Sequence, residues 1–254
     1  MNRITDTVKH LIIINGIFFI AANFLFPWMY DSFALYSFGN PNFHEYQFAT
    51  HMFMHAKLKD SLMHIVFNMF ALYSFGSNLE HFWGSKRFLF FYLVCGLGAG
   101  LINNLVNYYF FESGLTTLLE NGFNKTEIIS ILNQGGYDTR WTEFLGQSSL
   151  DNFISGYSSK AVGASGAIYG LLVASAMMFP DSEIYLYFIP VPLKAKYFIP
   201  GMICVDLFLG LKGQSIFGYG GTGIAHFAHI GGALVGFIIM MFWRNNKFNH
   251  TRWN

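Results

Sequence analysis

The stretch Val162-Gly163-Ala164-Ser165-Gly166-Ala167-Ile168-Tyr169-Gly170 opens an apolar run that continues to Phe179. A glycine-flanked hydroxyl is an unusual way to enter a membrane-length segment. Glycine has no Cβ, so backbone amides there can approach another atom closely. The unpaired N–H groups at a helix start also favour negative charge. Ser165 therefore reads as a nucleophile beside an oxyanion-binding backbone, with Gly163 and Ala164 before it and Gly166 after it. The competing reading is packing, because small residues let membrane helices come close. Gly-x-Ser-Gly alone does not choose between them. The remainder of the chain must supply a base and a context.

Composition supplies the context. Of 254 residues, 53% are hydrophobic, 19% aromatic and only 11% charged, with a mean hydropathy of +0.37. Soluble domains carry about 25% charged residues, so the chain reads as a membrane protein in contact with the lipid bilayer. A net charge of +1 gives no electrostatic footprint for nucleic acid, which is excluded as a partner. Cys95 and Cys204 both sit inside apolar runs and read as packing residues rather than a disulfide.

Working outward from Ser165, apolar runs long enough to cross a bilayer are expected at about 11–30, 61–79, 88–111, 163–180, 197–211 and 224–243. The expected fold class is an all-α six-transmembrane bundle forming one domain over 1–254. Both termini would be cytoplasmic, and a helical insertion at 112–160 would stand outside the membrane between the third and fourth spans. In that insertion six acidic residues face three basic ones, and Asn124-Lys125-Thr126-Glu127 has the form of a helix start. Six spans place nine lysines and arginines on the side of the termini and six on the other, the bias expected of a cytoplasmic side. Gly213 to Gly223 reads as a flexible glycine-rich loop.

Polar groups at membrane depth are costly and need a partner or a task. His64, Asn68, Ser165, Tyr169, Asp206, His226 and His229 are such groups. In Ala225-His226-Phe227-Ala228-His229-Ile230-Gly231-Gly232-Ala233-Leu234-Val235-Gly236, His229, Gly232 and Gly236 share one helix face. Gly231 falls on another. Gly166 and Gly170 make a comparable small face beside Ser165 and Tyr169. If the two faces pack, a serine meets a histidine, the minimum for an activated nucleophile. Asp206 reads as a contact within the bundle, and His226 as a structural polar group near the mouth of the site.

Three motifs now stand in order: His64-x-x-x-Asn68, Gly163-x-Ser165-Gly166 and Ala228-His229-x-x-Gly232-x-x-x-Gly236. The chain resembles the rhomboid family of intramembrane serine proteases from Tyr46 to about Trp243. The resemblance implies a Ser-His dyad at Ser165 and His229, and an oxyanion hole drawn from His64, Asn68 and the backbone at Ala164 or Ser165. It also implies an aromatic at Tyr169 packed on the base. The substrates implied are single-span membrane proteins cut near the outer end of their helix, with no cofactor and no metal. The location implied is a bacterial cytoplasmic membrane, with the site facing outward. Where the family often carries Trp-Arg in the first outer loop, this chain has Tyr46-Gln47, which puts the anchoring of that loop in question. Two alternatives come from other classes. One is a relative that binds membrane proteins without cutting them. The other is an ion or metal transporter using His64, Asp206, His226 and His229, although the paired halves with repeated broken helices expected of such a carrier are missing from the sequence.

Overall fold

The computed structural model describes residues 3–185, 192–212 and 224–245. The chain starts with α1 (Asp6–Ile20), which passes through a π-helical turn into α2 (Met29–Phe33) and β1 (Leu35–Tyr36). A short α3 (Gln47–Thr50) leads to α4 (Leu58–Ala71), a second π-helical turn and α5 (Ser77–Trp83). Gly84 adopts φ +75 and turns the chain into α6 (Ser85–Glu120), followed by α7 (Lys125–Asn133), α8 (Trp141–Leu145) and α9 (Gln147–Ser158). Then come β2 (Lys160–Ala161), α10 (Ser165–Met178), β3 (Glu183–Ile184), β4 (Leu193–Lys194), α11 (Ala195–Lys212) and α12 (Ile224–Asn245). β1 pairs antiparallel with β2, Leu35 opposite Ala161, and β3 with β4, Glu183 opposite Lys194.

This is a multi-pass helical membrane protein, but the six-span expectation is corrected. Among the described residues three helical segments are long and apolar enough to cross a membrane: Asp6–Leu25, Ser85–Glu120 and His226–Arg244. The expected span at 61–79 is broken at both ends. Ser61 has non-helical φ/ψ inside α4, and the π-turn Leu72–Gly76 interrupts it further on. The run at 163–180 yields α10, whose 14 residues reach only about 21 Å at 1.5 Å per residue. The run at 197–211 becomes α11, with Pro200 inside it and Lys196, Asp206 and Lys212 along its length. The insertion is corrected too. Residues 112–120 continue α6 rather than leave it, and α9 lies against α6. Phe111 stacks on Phe153 at 5.6 Å, with Trp141 edge-on at 5.8 Å, within a second core that includes Leu115, Leu118 and Tyr157. Asn124 caps α7 by accepting from Thr126 N–H at 2.8 Å. The loop at Gly213 to Gly223 lies outside the described residues.

The main core lies where α6, α10 and α12 meet. Phe88, Phe91, Tyr92 and Cys95 of α6 are buried with Ala167, Leu171 and Ala174 of α10. Both cysteines are free. The outward faces stay apolar: Ile17, Leu105 and Phe242 are exposed on the three long helices, as suits segments whose solvent is hydrocarbon.

The loop between α2 and α4 is held by amide side chains. Gln47 is fully buried. Its Oε1 accepts from Tyr36 N–H and His44 N–H, and its Nε2 donates to the Ser32 and Asn42 carbonyls. From α6, Asn104 donates to Tyr36 O and accepts from Phe38 N–H, both at 2.8 Å. Gln47 thus supplies from one amide the anchoring that its position put in question. Removing it strands the buried Tyr36 N–H and three part-buried backbone groups; an unsatisfied buried group costs about 1–3 kcal/mol. Gln47→Ala is expected to destabilise the detergent-solubilised protein by about 3 kcal/mol, read as a lowered melting temperature. A shift too small to measure would show that water replaces these bonds.

At the other end, Glu80 of α5 caps α1. Its carboxylate accepts from Thr7 N–H, Val8 N–H, the Thr5 hydroxyl and the Ser85 hydroxyl, and so satisfies the orphan amides of the first turn. Burial pushes the Glu80 carboxyl up, but the hydrogen bonds from Thr5, Thr7, Ser85 and Val8 outweigh it and hold it at about 2, below the ordinary 4.5. A carboxyl depressed in the folded state contributes stability that is present above its unfolded pKa and lost as pH falls through the folded one. That window runs from about 4.5 to about 2. Between pH 5 and pH 3 the wild type should therefore lose more thermal stability than Glu80→Gln. Parallel losses in the two proteins would refute the cap.

Candidate active site

The site is built where β2 hands over to α10. Gly163 has φ +124, a conformation that residues with a Cβ rarely adopt. Its N–H donates to the His51 carbonyl at 2.9 Å, and a Cβ there would stand 3.0 Å from Nε2 of His64. Ala164 is fully buried as the N-cap of α10, and its carbonyl accepts from Ile168 N–H. Helix geometry leaves the amides of the first turn, beginning at Ser165, without intrahelical acceptors. Ser165 is therefore presented at the positive end of a helix.

The crossing of α10 and α12 is a contact between glycine backbones. A Cβ on Gly232 would lie 1.8 Å from the Gly166 carbonyl oxygen, and one on Gly236 would lie 2.7 Å from Gly170 Cα. Gly166 itself faces Ala99 of α6, where a Cβ would lie 2.5 Å from the alanine Cβ. With the axes this close, His229 Nε2 stands 2.9 Å from Ser165 Oγ. The His229 ring lies flat on Tyr169, centroids 4.2 Å apart and planes 10° from parallel.

The far side of the imidazole has a partner as well. His229 Nδ1 is 3.3 Å from Oδ2 of Asp206, His226 Nδ1 is 2.5 Å from Oδ1, and the Tyr169 hydroxyl donates to Oδ2. Asp206 and His226 are both buried. The donor atoms of Asp206, His226 and His229 lie within 4.8 Å of one another, a spacing like that of a small metal site. Here each Nδ1 faces a carboxylate oxygen directly. An ionised carboxylate only accepts, so a ring that hydrogen-bonds to it does so with a hydrogen on Nδ1, whereas metal ligation needs that lone pair.

His64 approaches from α4. Its Nδ1 accepts the Ala56 N–H at 3.1 Å, which fixes the tautomer and leaves Nε2–H as a donor on the Gly163 side. The His55 ring stands 5.3 Å away. Burial first, and then the facing His64, push His55 down to about 3, so it places no cation beside the site at neutral pH. Asn68 is buried, with Nδ2 turned back to the His64 carbonyl at 2.7 Å and Oδ1 without a partner among the described residues. One Nδ2 hydrogen is left to point elsewhere.

Ser165, His229, Tyr169, Gly163 and His64 are thus brought together, and Gly166, Gly232 and Gly236 form the crossing that holds them. Asn68 is adjacent but partly committed to its own helix. Asp206 and His226 stand closer to this chemistry than the sequence reading put them. The signal for Asp206 was a carboxylate inside an apolar run; its partners depend on the rotation of α11 about its axis.

In comparison with known proteins, the family described as Rhomboid domain matches residues 42–120 and 141–246. No curated protein matches the chain.

Proposed function

We propose, starting from the fact that this chain belongs to the rhomboid family, that it is an intramembrane serine endopeptidase. The observation that carries the reading is the 2.9 Å contact between His229 Nε2 and Ser165 Oγ. In the mechanism proposed, His229 takes the Ser165 proton as the hydroxyl attacks a peptide carbonyl, and then gives it to the leaving amine. The negative oxygen is held by His64 Nε2–H and the backbone N–H groups at Ala164 and Ser165, with the second Nδ2 hydrogen of Asn68 as a further donor. One such donor is worth about 2.7–4 kcal/mol. Tyr169 keeps the imidazole in plane with the serine.

The proposed substrates are single-span membrane proteins cut near the outer end of their helix. A helical carbonyl is already hydrogen-bonded, so the segment must unwind before attack, and helix-breaking residues near the cut favour it. We take 1–254 as one domain, since α6 runs through both cores. We place the site toward the outer face of a bacterial cytoplasmic membrane. Membership of the rhomboid family is what supports that placement. The test is labelling by a fluorophosphonate, which reacts with an activated serine hydroxyl. The purified protein should label, and Ser165→Ala should not. Equal labelling of the two would end the assignment.

A further inference from the structure

We propose that Asp206 is a positioning residue for His229, an inference that rests on the acyl-transfer reading above. A two-residue Ser-His arrangement leaves the far nitrogen of the imidazole unassigned. In this chain that nitrogen, Nδ1, is 3.3 Å from Asp206 Oδ2, while Nε2 of the same ring is 2.9 Å from Ser165 Oγ. The carboxylate can only accept, so Nδ1 carries the hydrogen and Nε2 presents its lone pair to the serine. That is the tautomer a general base requires. Tyr169 stacks on the ring face and fixes its plane, but stacking does not select a tautomer.

The surroundings of Asp206 point the same way. Its neighbours Val205, Leu207 and Phe208 on α11 are exposed apolar residues, while Asp206 is buried. A carboxylate buried from such a helix is costly unless it is paired and hydrogen-bonded. Among the described residues, the titratable groups facing it are Tyr169 from α10 and His226 and His229 from α12. His226 holds Oδ1, its ring perpendicular to that of His229 at 6.5 Å, and so leaves Oδ2 aimed at the base. Among the described residues, His64 of α4 and Ser165 of α10 also face His229. When His229 takes the serine proton on Nε2, the Nδ1 proton stays on the ring. The imidazolium then lies against the carboxylate, and no proton passes to Asp206.

The experiment compares wild type, Asp206→Asn and Ser165→Ala in detergent, with a single-span substrate and with a fluorophosphonate. Asp206→Asn is expected to lower kcat by about a hundredfold or more with KM within about twofold, and to slow labelling in proportion. An unchanged kcat would overturn the role of Asp206. A second measurement needs no variant: nitrogen-15 shifts of His229 in the wild type should report the Nδ1–H tautomer, and an Nε2–H ring would overturn the proposal even if Asp206→Asn fails to fold. Loss of labelling in Ser165→Ala with normal kinetics in Asp206→Asn sinks only this inference. Labelling that survives in Ser165→Ala sinks the function reading and this inference with it.

Discussion

Ser165→Ala is expected to lower turnover of a single-span substrate by about ten-thousandfold or more, to the background rate, while leaving the fold intact. The substitution deletes one oxygen, whose partner is His229 Nε2. The crossing of α10 and α12 does not depend on that oxygen, because it is made by Gly166, Gly170, Gly232 and Gly236. His229→Ala should do equal damage, since a serine hydroxyl without a base is a weak nucleophile. It also leaves the Tyr169 face bare and takes one donor from Asp206, so its melting temperature should fall below that of Ser165→Ala. Residues that act as one unit lose activity non-additively. The double variant should thus be no slower than either single, whereas two independent contributions would multiply. Turnover of intact substrate by a pure, folded Ser165→Ala protein would remove the serine from the chemistry.

The parts of this architecture legible in the sequence are those that depend on run length and helix phase. The apolar runs behind α1, α6 and α12 are long, and the helices they form are the three that meet the length of a bilayer. The meeting of α10 with α12 follows from glycines four apart on each. The span count failed because hydropathy registers composition and not backbone continuity. It sees the apolar residues around Ser61 and Leu72 but not the break at one or the π-turn at the other. The same blindness hid the continuation of α6, since Glu112 and Glu120 mark a polar stretch whether or not the helix goes on. Asp206 and Gln47 were visible as residues, but not as the centres of networks. A carboxylate on α11 reaches His229 only in one rotation of that helix, and Gln47 gathers Ser32, Tyr36, Asn42 and His44 only after the loop has folded around it. Charge pattern and spacing carry neither piece of information.

Gly232→Ala should be the most damaging single methyl added to this protein. An ideal Cβ there stands 1.8 Å from the Gly166 carbonyl oxygen and 2.7 Å from its carbonyl carbon. Both are backbone atoms, so no rotamer relieves the clash, and α12 must move away from α10 by about 1.5 Å to restore carbon–oxygen contact. Overpacking of this kind costs about 1–3 kcal/mol. The effect on chemistry is larger. Ser165 sits one residue before Gly166 and His229 one turn before Gly232, so the displacement opens the 2.9 Å contact directly. A misplacement of about 1 Å can cost a hundredfold in rate, and Gly232→Val should be worse. Gly231 is not the mild comparison that its separate helix face implied, because a Cβ there meets Ile102 Cβ at 2.9 Å and Ala99 Cα at 3.2 Å. The informative control is Gly201→Ala on α11, where nothing among the described residues lies within 4 Å. There the added methyl should leave turnover unchanged and favour the helix by up to about 1 kcal/mol. Turnover and melting temperature measured on Gly232→Ala and Gly201→Ala side by side should separate by about two orders of magnitude and several degrees. Equal behaviour of the two would mean that α10 and α12 do not cross on their glycines, and the Ser165–His229 contact would lose its support.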